Sequence, residues 1–302
     1  MYKIFAGVLL TVASITIASD FRNSEWSEPV NLGSINSPFN EQNIFLTKDQ
    51  LTIYFTSDRP GGFGGLDIYV SHRASVYSAW QTPMNLGPPV NTATNDFGPN
   101  LSIDGHLLFF ASARPGGFGG ADIYVSHRDD PNDDFAWGTP VNVGPPINTA
   151  NAEQAPFYLQ NAEDGSGNLY FNRGLQVIQA ADIYYASVTR DGEAQGDVVF
   201  VAELSSPVND FAVTIRKDGR ETFFTSPRPG TIGGNDIWTS TRRSIHDPWE
   251  TPRNAGAPLN TVFNDGTPHL TFDGRALFFA SNRPAGLGGN DMWMSTRTQG
   301  GD

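Results

Sequence analysis

Residues 55–73 read FTSDRPGGFGGLDIYVSHR, and residues 110–128 read FASARPGGFGGADIYVSHR, almost the same nineteen letters 55 residues apart. Two more copies follow, FTSPRPGTIGGNDIWTSTR at 224–242 and FASNRPAGLGGNDMWMSTR at 279–297. A degraded copy, FNRGLQVIQAADIYYASVTR at 171–190, lies between them. A repeat of this period marks a solenoid, a propeller or an array. Aligned on the Asp-aromatic stretch, the five units place Asp67, Asp122, Asp182, Asp236 and Asp291 at spacings of 55, 60, 54 and 55. An arginine before the Gly-rich loop recurs as Arg59, Arg114, Arg173, Arg228 and Arg283. An acid recurs upstream as Glu41, Asp96, Glu153, Asp210 and Asp265, 18 residues before the arginine in four units and 20 in the third.

Each unit reads as four strands. The first follows the upstream acid, as in NIFLT or FAVTI. A turn, usually Asp-Gly, leads to the second (TIYFTS, LLFFAS, LYFN, ETFFTS, ALFFAS). Asp-Gly between apolar runs signals a hairpin, because both turn residues accept positive φ. The Gly-rich loop and the third strand follow. The fourth is the Trp-x-x-Pro segment, as in WQTPMNLG, which unit three replaces with VVFVAEL. The chain opens with a fourth strand that has no unit before it, WSEPVNLG at 26–33, and closes on a third strand with none after it. Joining the two completes a unit. A ring uses such offset ends, since a borrowed strand locks the circle and removes a sheet edge. The expectation is an all-β, five-bladed β-propeller of four-stranded blades over residues 19–302, closed by the N-terminal strand. The alternative is a propeller whose third blade is poorly formed.

The 302 residues carry 38% hydrophobic content, 32 glycines and 21 prolines, as suits a folded all-β chain. A formal charge of −13 leaves no basic patch for nucleic acid. With no cysteine, disulfides, thiolate metal sites and cysteine nucleophiles are excluded. The start, MYKIFAGVLLTVASITIASDF, has Lys3 ahead of an apolar stretch from Ile4 to Ala18. That is the layout of a secretory signal peptide, assigned here to residues 1–18, and it is short for a membrane anchor. The mature protein is expected in a bacterial periplasm or outside the cell, not spanning a membrane.

The strand ending Ser-x-Arg-Pro, followed by Gly-Gly-x-Gly-Gly-x-Asp-Ile-Tyr, resembles the WD40-like "PD40" propeller repeat of the TolB family of bacterial periplasmic proteins. Units one, two, four and five carry the pattern; unit three departs, with Asn-Arg-Gly-Leu-Gln-Val in place of the loop. The resemblance implies a propeller fold and export, and does not extend to the Tol role.

A Gly-rich loop between strands does not open a helix, so a phosphate site is not expected. The five arginines, with the third-strand acids and the upstream acids, read first as salt bridges repeated in each blade. A sharper reading puts Glu41, Asp96, Glu153, Asp210 and Asp265 in a ring at the mouth of the channel, where oxygen ligands suit Ca²⁺ or Mg²⁺. Trp26, Trp80, Trp137 and Trp249 recur at one position and read as inter-blade packing. The histidines show no zinc spacing. Unit three breaks the symmetry, with an enlarged turn at 162–168 and the pair Tyr184-Tyr185; with the acidic loop DDPNDDF at 129–135, it is a candidate partner face. No catalytic constellation emerges. The primary functional expectation is therefore a non-enzymatic binding scaffold for an envelope protein or peptide. The alternative is a carbohydrate-binding or carbohydrate-active propeller, resembling a glycoside hydrolase, that uses channel carboxylates.

Overall fold

The computed structural model describes residues 26–161, 163–174 and 180–298. Its twenty strands run β1 (Val30–Asn31), β2 (Glu41–Leu46), β3 (Thr52–Ser57), β4 (Asp67–His72), β5 (Met84–Asn85), β6 (Asp96–Leu101), β7 (Leu107–Ser112), β8 (Asp122–His127), β9 (Val141–Asn142) and β10 (Ala152–Gln160). They continue as β11 (Gly167–Gly174), β12 (Asp182–Val188), β13 (Ala194–Phe200), β14 (Phe211–Ile215), β15 (Glu221–Ser226), β16 (Asp236–Thr241), β17 (Arg253–Asn254), β18 (Asp265–Leu270), β19 (Ala276–Ser281) and β20 (Asp291–Thr296). They form five antiparallel sheets of four strands each, the blades of a β-propeller. The last sheet has the order β1-β20-β19-β18, so the N-terminal strand completes blade five, with Val30 opposite Met294 and Trp26 bridged to Arg297. The signal peptide expected at 1–18 lies outside the described residues. Among those described, no helix is long and apolar enough to cross a membrane.

The second strand of each blade is sandwiched between two neighbouring blades, which is why LLFFAS and ALFFAS are buried at every position. Its side chains alternate between the two inter-blade cores. Ile53 and Phe55 pack toward Phe278 and Met292 of blade five, whereas Tyr54 packs toward Leu108 and Phe110 of blade two. Five such clusters close the ring.

Two features depart from the sequence reading. The fourth strands of blades one, two, four and five are only two residues long, whereas in blade three β13 has seven. The Trp-x-x-Pro segment ends in a proline that cannot donate to a ladder, and blade three lacks it. Far from being poorly formed, blade three has the longest strands, nine residues in β10 and eight in β11. The second feature lies in the inner strands. Each changes register near its start, and the residue there has positive φ: Asn43 (53°), Gly98 (68°), Ala155 (48°), Ala212 (53°) and Thr267 (45°). A bulge of this kind bends the strand, and here it does so in all five strands around the axis. Only one copy uses glycine, so the motif is silent in the sequence.

Candidate functional site

The upstream acids do begin the inner strands, but their carboxylates turn into the blade and are fully buried. In blade one, Glu41 accepts hydrogen bonds from Ser37 N–H and Oγ, from Ser57 Oγ (2.9 Å) and from Arg59 Nη2 (2.9 Å). The same arginine donates to the Ile35 carbonyl at 2.6 Å. The ion pair repeats as Arg114–Asp96 (2.9 Å), Arg173–Glu153 (2.8 Å), Arg228–Asp210 and Arg283–Asp265 (2.6 Å). Each guanidinium also lies over two rings, for instance Phe55 and Tyr69 in blade one. The arginine thus ties the Gly-rich loop to the inner strand and to the connection entering it. These contacts leave the carboxylates no place as cation ligands facing the channel. Among the described residues, no group of three or more His, Asp or Glu side chains stands where it could hold a metal ion.

The third-strand acids do a different job. Asp67 accepts from the loop N–H groups of Phe63 (2.5 Å) and Gly64 (3.1 Å) and from Asn85 Nδ2 (2.9 Å). Asp122 and Asp236 repeat all three contacts, and Asp291 accepts from its loop N–H groups. The glycines follow from this closeness: a Cβ on Gly62 would sit 1.9 Å from Asp67 Oδ2, and one on Gly64 would sit 1.8 Å from the Thr94 carbonyl. In blade three, Asp182 is half-buried, and burial together with the negative Asp210 pushes its carboxyl pKa up.

A second arginine set, the last letter of the quoted motif, escaped the sequence reading. Arg73, Arg128, Arg242 and Arg297 stack on Trp80, Trp137, Trp249 and Trp26 at 4.2–4.7 Å. Each tryptophan belongs to or packs against an inter-blade core, as its recurrence suggested. Tyr184 and Tyr185 do not form a free face. They pack within their blade on Phe171 and Tyr170 and are half-buried against the cores on either side. The loop at 129–135 folds inward at Asp134, which takes Arg128 (2.9 Å), His72 (2.8 Å) and the Tyr54 hydroxyl.

Among the described residues, three spaces follow one another along the axis. The upper cavity, at the end where the inner strands begin, holds about 580 Å³ and is lined by Gln42, Asn43, Phe97, Gln154, Asn172 and Phe211, among others. Among the described residues, no charged side chain contributes to its wall. A waist of about 30 Å³ among Ile44, Pro99, Pro156, Val213 and Pro268 separates it from a lower cavity of about 450 Å³. His269 lines both the waist and the lower cavity. Its Nε2 accepts a hydrogen bond from Leu46 N–H at 3.2 Å, and burial pulls its pKa down to about 4, so the ring is neutral at pH 7.

One buried atom beside the upper cavity is without a partner among the described residues. Asn172 is buried, and its Oδ1 accepts no hydrogen bond among the described residues. The equivalent strand position in blades one and four is threonine, and there the hydroxyl is used: Thr56 accepts from Gly98 N–H (3.0 Å) and Thr225 from Thr267 N–H (2.8 Å). An orphaned buried acceptor is rare and costs stability unless a ligand or water supplies the donor.

No family model matches the chain, and neither does any curated protein. Solved structures do match. An α-L-arabinofuranosidase from Lactobacillus brevis is 14% identical, with TM-score 0.60 over 87% of this chain and 92% of its own. One from Podospora anserina, solved with cellotriose, is 12% identical, with TM-score 0.59 over 86% and 91%. TolB from Acinetobacter baumannii is 13% identical, with TM-score 0.52 over 87% of this chain and 56% of its own. At such identities the likeness establishes the five-bladed fold. It also corrects the functional expectation: TolB stands beside family-43 and family-62 glycoside hydrolases of the same fold, so the resemblance to TolB no longer supports the reading as a protein-binding scaffold.

Proposed function

We propose that this propeller binds a neutral oligosaccharide in its upper axial cavity. The observation that carries the reading is the wall itself, amides and aromatic rings with no charged side chain among the described residues. Around the ring the inner strands present Gln42, Phe97, Gln154 and Phe211 in turn. Amides both donate and accept, as sugar hydroxyls do, and apolar rings suit the C–H faces of a pyranose or furanose. The cavity is of the size that encloses small ligands. The arabinofuranosidase neighbours support the same class of ligand. Hydrolysis would need two carboxylates facing the glycosidic bond; the five belt carboxylates are held by arginine inside the blades, so the activity we assign is recognition. We also read the repeat as PD40-type on its Ser-x-Arg-Pro motif, and the protein as exported on its first eighteen residues.

Calorimetric titration with arabino-oligosaccharides, xylo-oligosaccharides and cellotriose tests the proposal. Saturable binding of at least one of them is expected, weakened tenfold or more by Asn172→Ala, with no release of reducing ends. Failure of all three classes to bind would overturn it, and reducing-end release would replace recognition with catalysis.

A further inference from the structure

The lower cavity has a different chemistry, and its mouth holds an anomaly. The chain contains only three lysines, Lys3, Lys48 and Lys217. Two of them meet here. Lys217 of blade four and Lys48 of blade one flank Phe272 of blade five, with their Nζ atoms 4.6 and 5.1 Å from its ring centroid. The three residues hold one repeat position, which Ile103 and Gln160 fill in the remaining blades. Neither lysine is ion-paired among the described residues, although the chain carries a net charge of −13. The acids beside them are engaged in their own turns. Asp49 accepts from Thr47 Oγ1 (2.6 Å) and Leu51 N–H, and Asp104 from Ser102 Oγ (2.6 Å) and His106 N–H. Asp218 is held by Arg216 and Arg220, and Asp273 by Thr271 and Gln50. Arg128, which also reaches this wall, is committed to Asp134. Behind the lysines the wall turns apolar, with Phe45, Phe157, Leu159 and Ile215.

Two like charges near one ring, at the rim of an apolar chamber, repel each other, and an anion held between them relieves that repulsion. We propose that the lower cavity binds a small organic carboxylate with an apolar body, its head between Lys48 and Lys217 and its chain or ring on Phe272 and the wall behind. The site is independent of the oligosaccharide site, from which the waist of prolines separates it.

The test is titration calorimetry of the whole protein at pH 7 with decanoate and 4-phenylbutyrate, alongside decanamide (the body without the charge) and acetate (the charge without the body). One molecule of acid per chain is expected to bind, with decanamide and acetate at least tenfold weaker. Lys48→Met and Lys217→Met should each weaken the acid by about tenfold, the worth of one charged hydrogen bond. Both lysines are exposed, so the variants should fold, and their melting temperature is the check. No binding by either acid, equal binding of decanamide, or undiminished binding by the double variant would overturn the proposal. Oligosaccharide affinity should not change in these variants, so the two sites fail or stand separately.

Discussion

Glu41 and Gln42 are neighbours in one inner strand, and Asp210 and Phe211 hold the same two places in another blade. The first of each pair is an acid in all five copies, buried and bound to an arginine. The second is Gln42, Phe97, Gln154, Phe211 or Gly266, with no rule from copy to copy. The difference lies in where the side chain goes. A residue directed into the blade meets the same surroundings five times, and ring closure demands the same contacts each time. A residue directed at the axis meets only the cavity. Recurrence in this chain therefore marks scaffold, and variation on the axis marks the surface free to recognise something. The functional expectation placed on the acidic ring inverted this, because it sought chemistry where the repeat was strictest.

The largest effect separating the two regions should come from Arg228→Ala. Removing the guanidinium strands Asp210, which has no access to water, and should cost about 3–5 kcal/mol in chemical denaturation. A loss below about 1 kcal/mol would mean the arginine belt does not hold the ring. Next is the acid limb of stability. His269 is neutral in the fold with its pKa drawn from 6.5 to about 4. Above pH 6.5 it contributes no pH dependence. Below that the unfolded chain takes up a proton that the folded one refuses, so stability falls between about pH 6.5 and 4, by about 3 kcal/mol in all. His269→Asn keeps an acceptor for Leu46 N–H, as Asn100 does for Tyr158 N–H, and should lose that component. Parallel curves for variant and parent would remove the histidine from the account. Gly64→Ala should cost about 1–3 kcal/mol by thermal melting, since its Cβ would press on the Thr94 backbone. The smallest effect belongs to the axis. Gln42→Ala should change stability by no more than about 0.5 kcal/mol while weakening the oligosaccharide, and a larger loss would show that the axial residues are scaffold too.

Much of the fold was legible. Five Asp-aromatic strands counted the blades, and the offset ends announced the closure that β1 and β20 make. The spacing of 18 between acid and arginine was visible, and the structure shows these two to be the bonded pair. The bulge was hidden because four of its five copies use Asn, Ala or Thr where positive φ would advertise glycine. The stacking of Arg297 on Trp26 was hidden by a separation of 271 residues along the chain. Asn172 opens the stretch in which unit three departs from the repeat, and nothing in that stretch singles it out. Its meaning comes only from the hydroxyls of Thr56 and Thr225, which have partners at the same position.

By itself the sequence determined how many blades there are, how the ring closes and which charges recur, because these are matters of period and count along the chain. The tertiary structure alone decided which way each recurring carboxylate turns and which varied residues meet on the axis. The pleat of a strand assigns a side, but the bulge resets it, and residues such as Lys48 and Lys217 become neighbours only when five blades are drawn around a common centre.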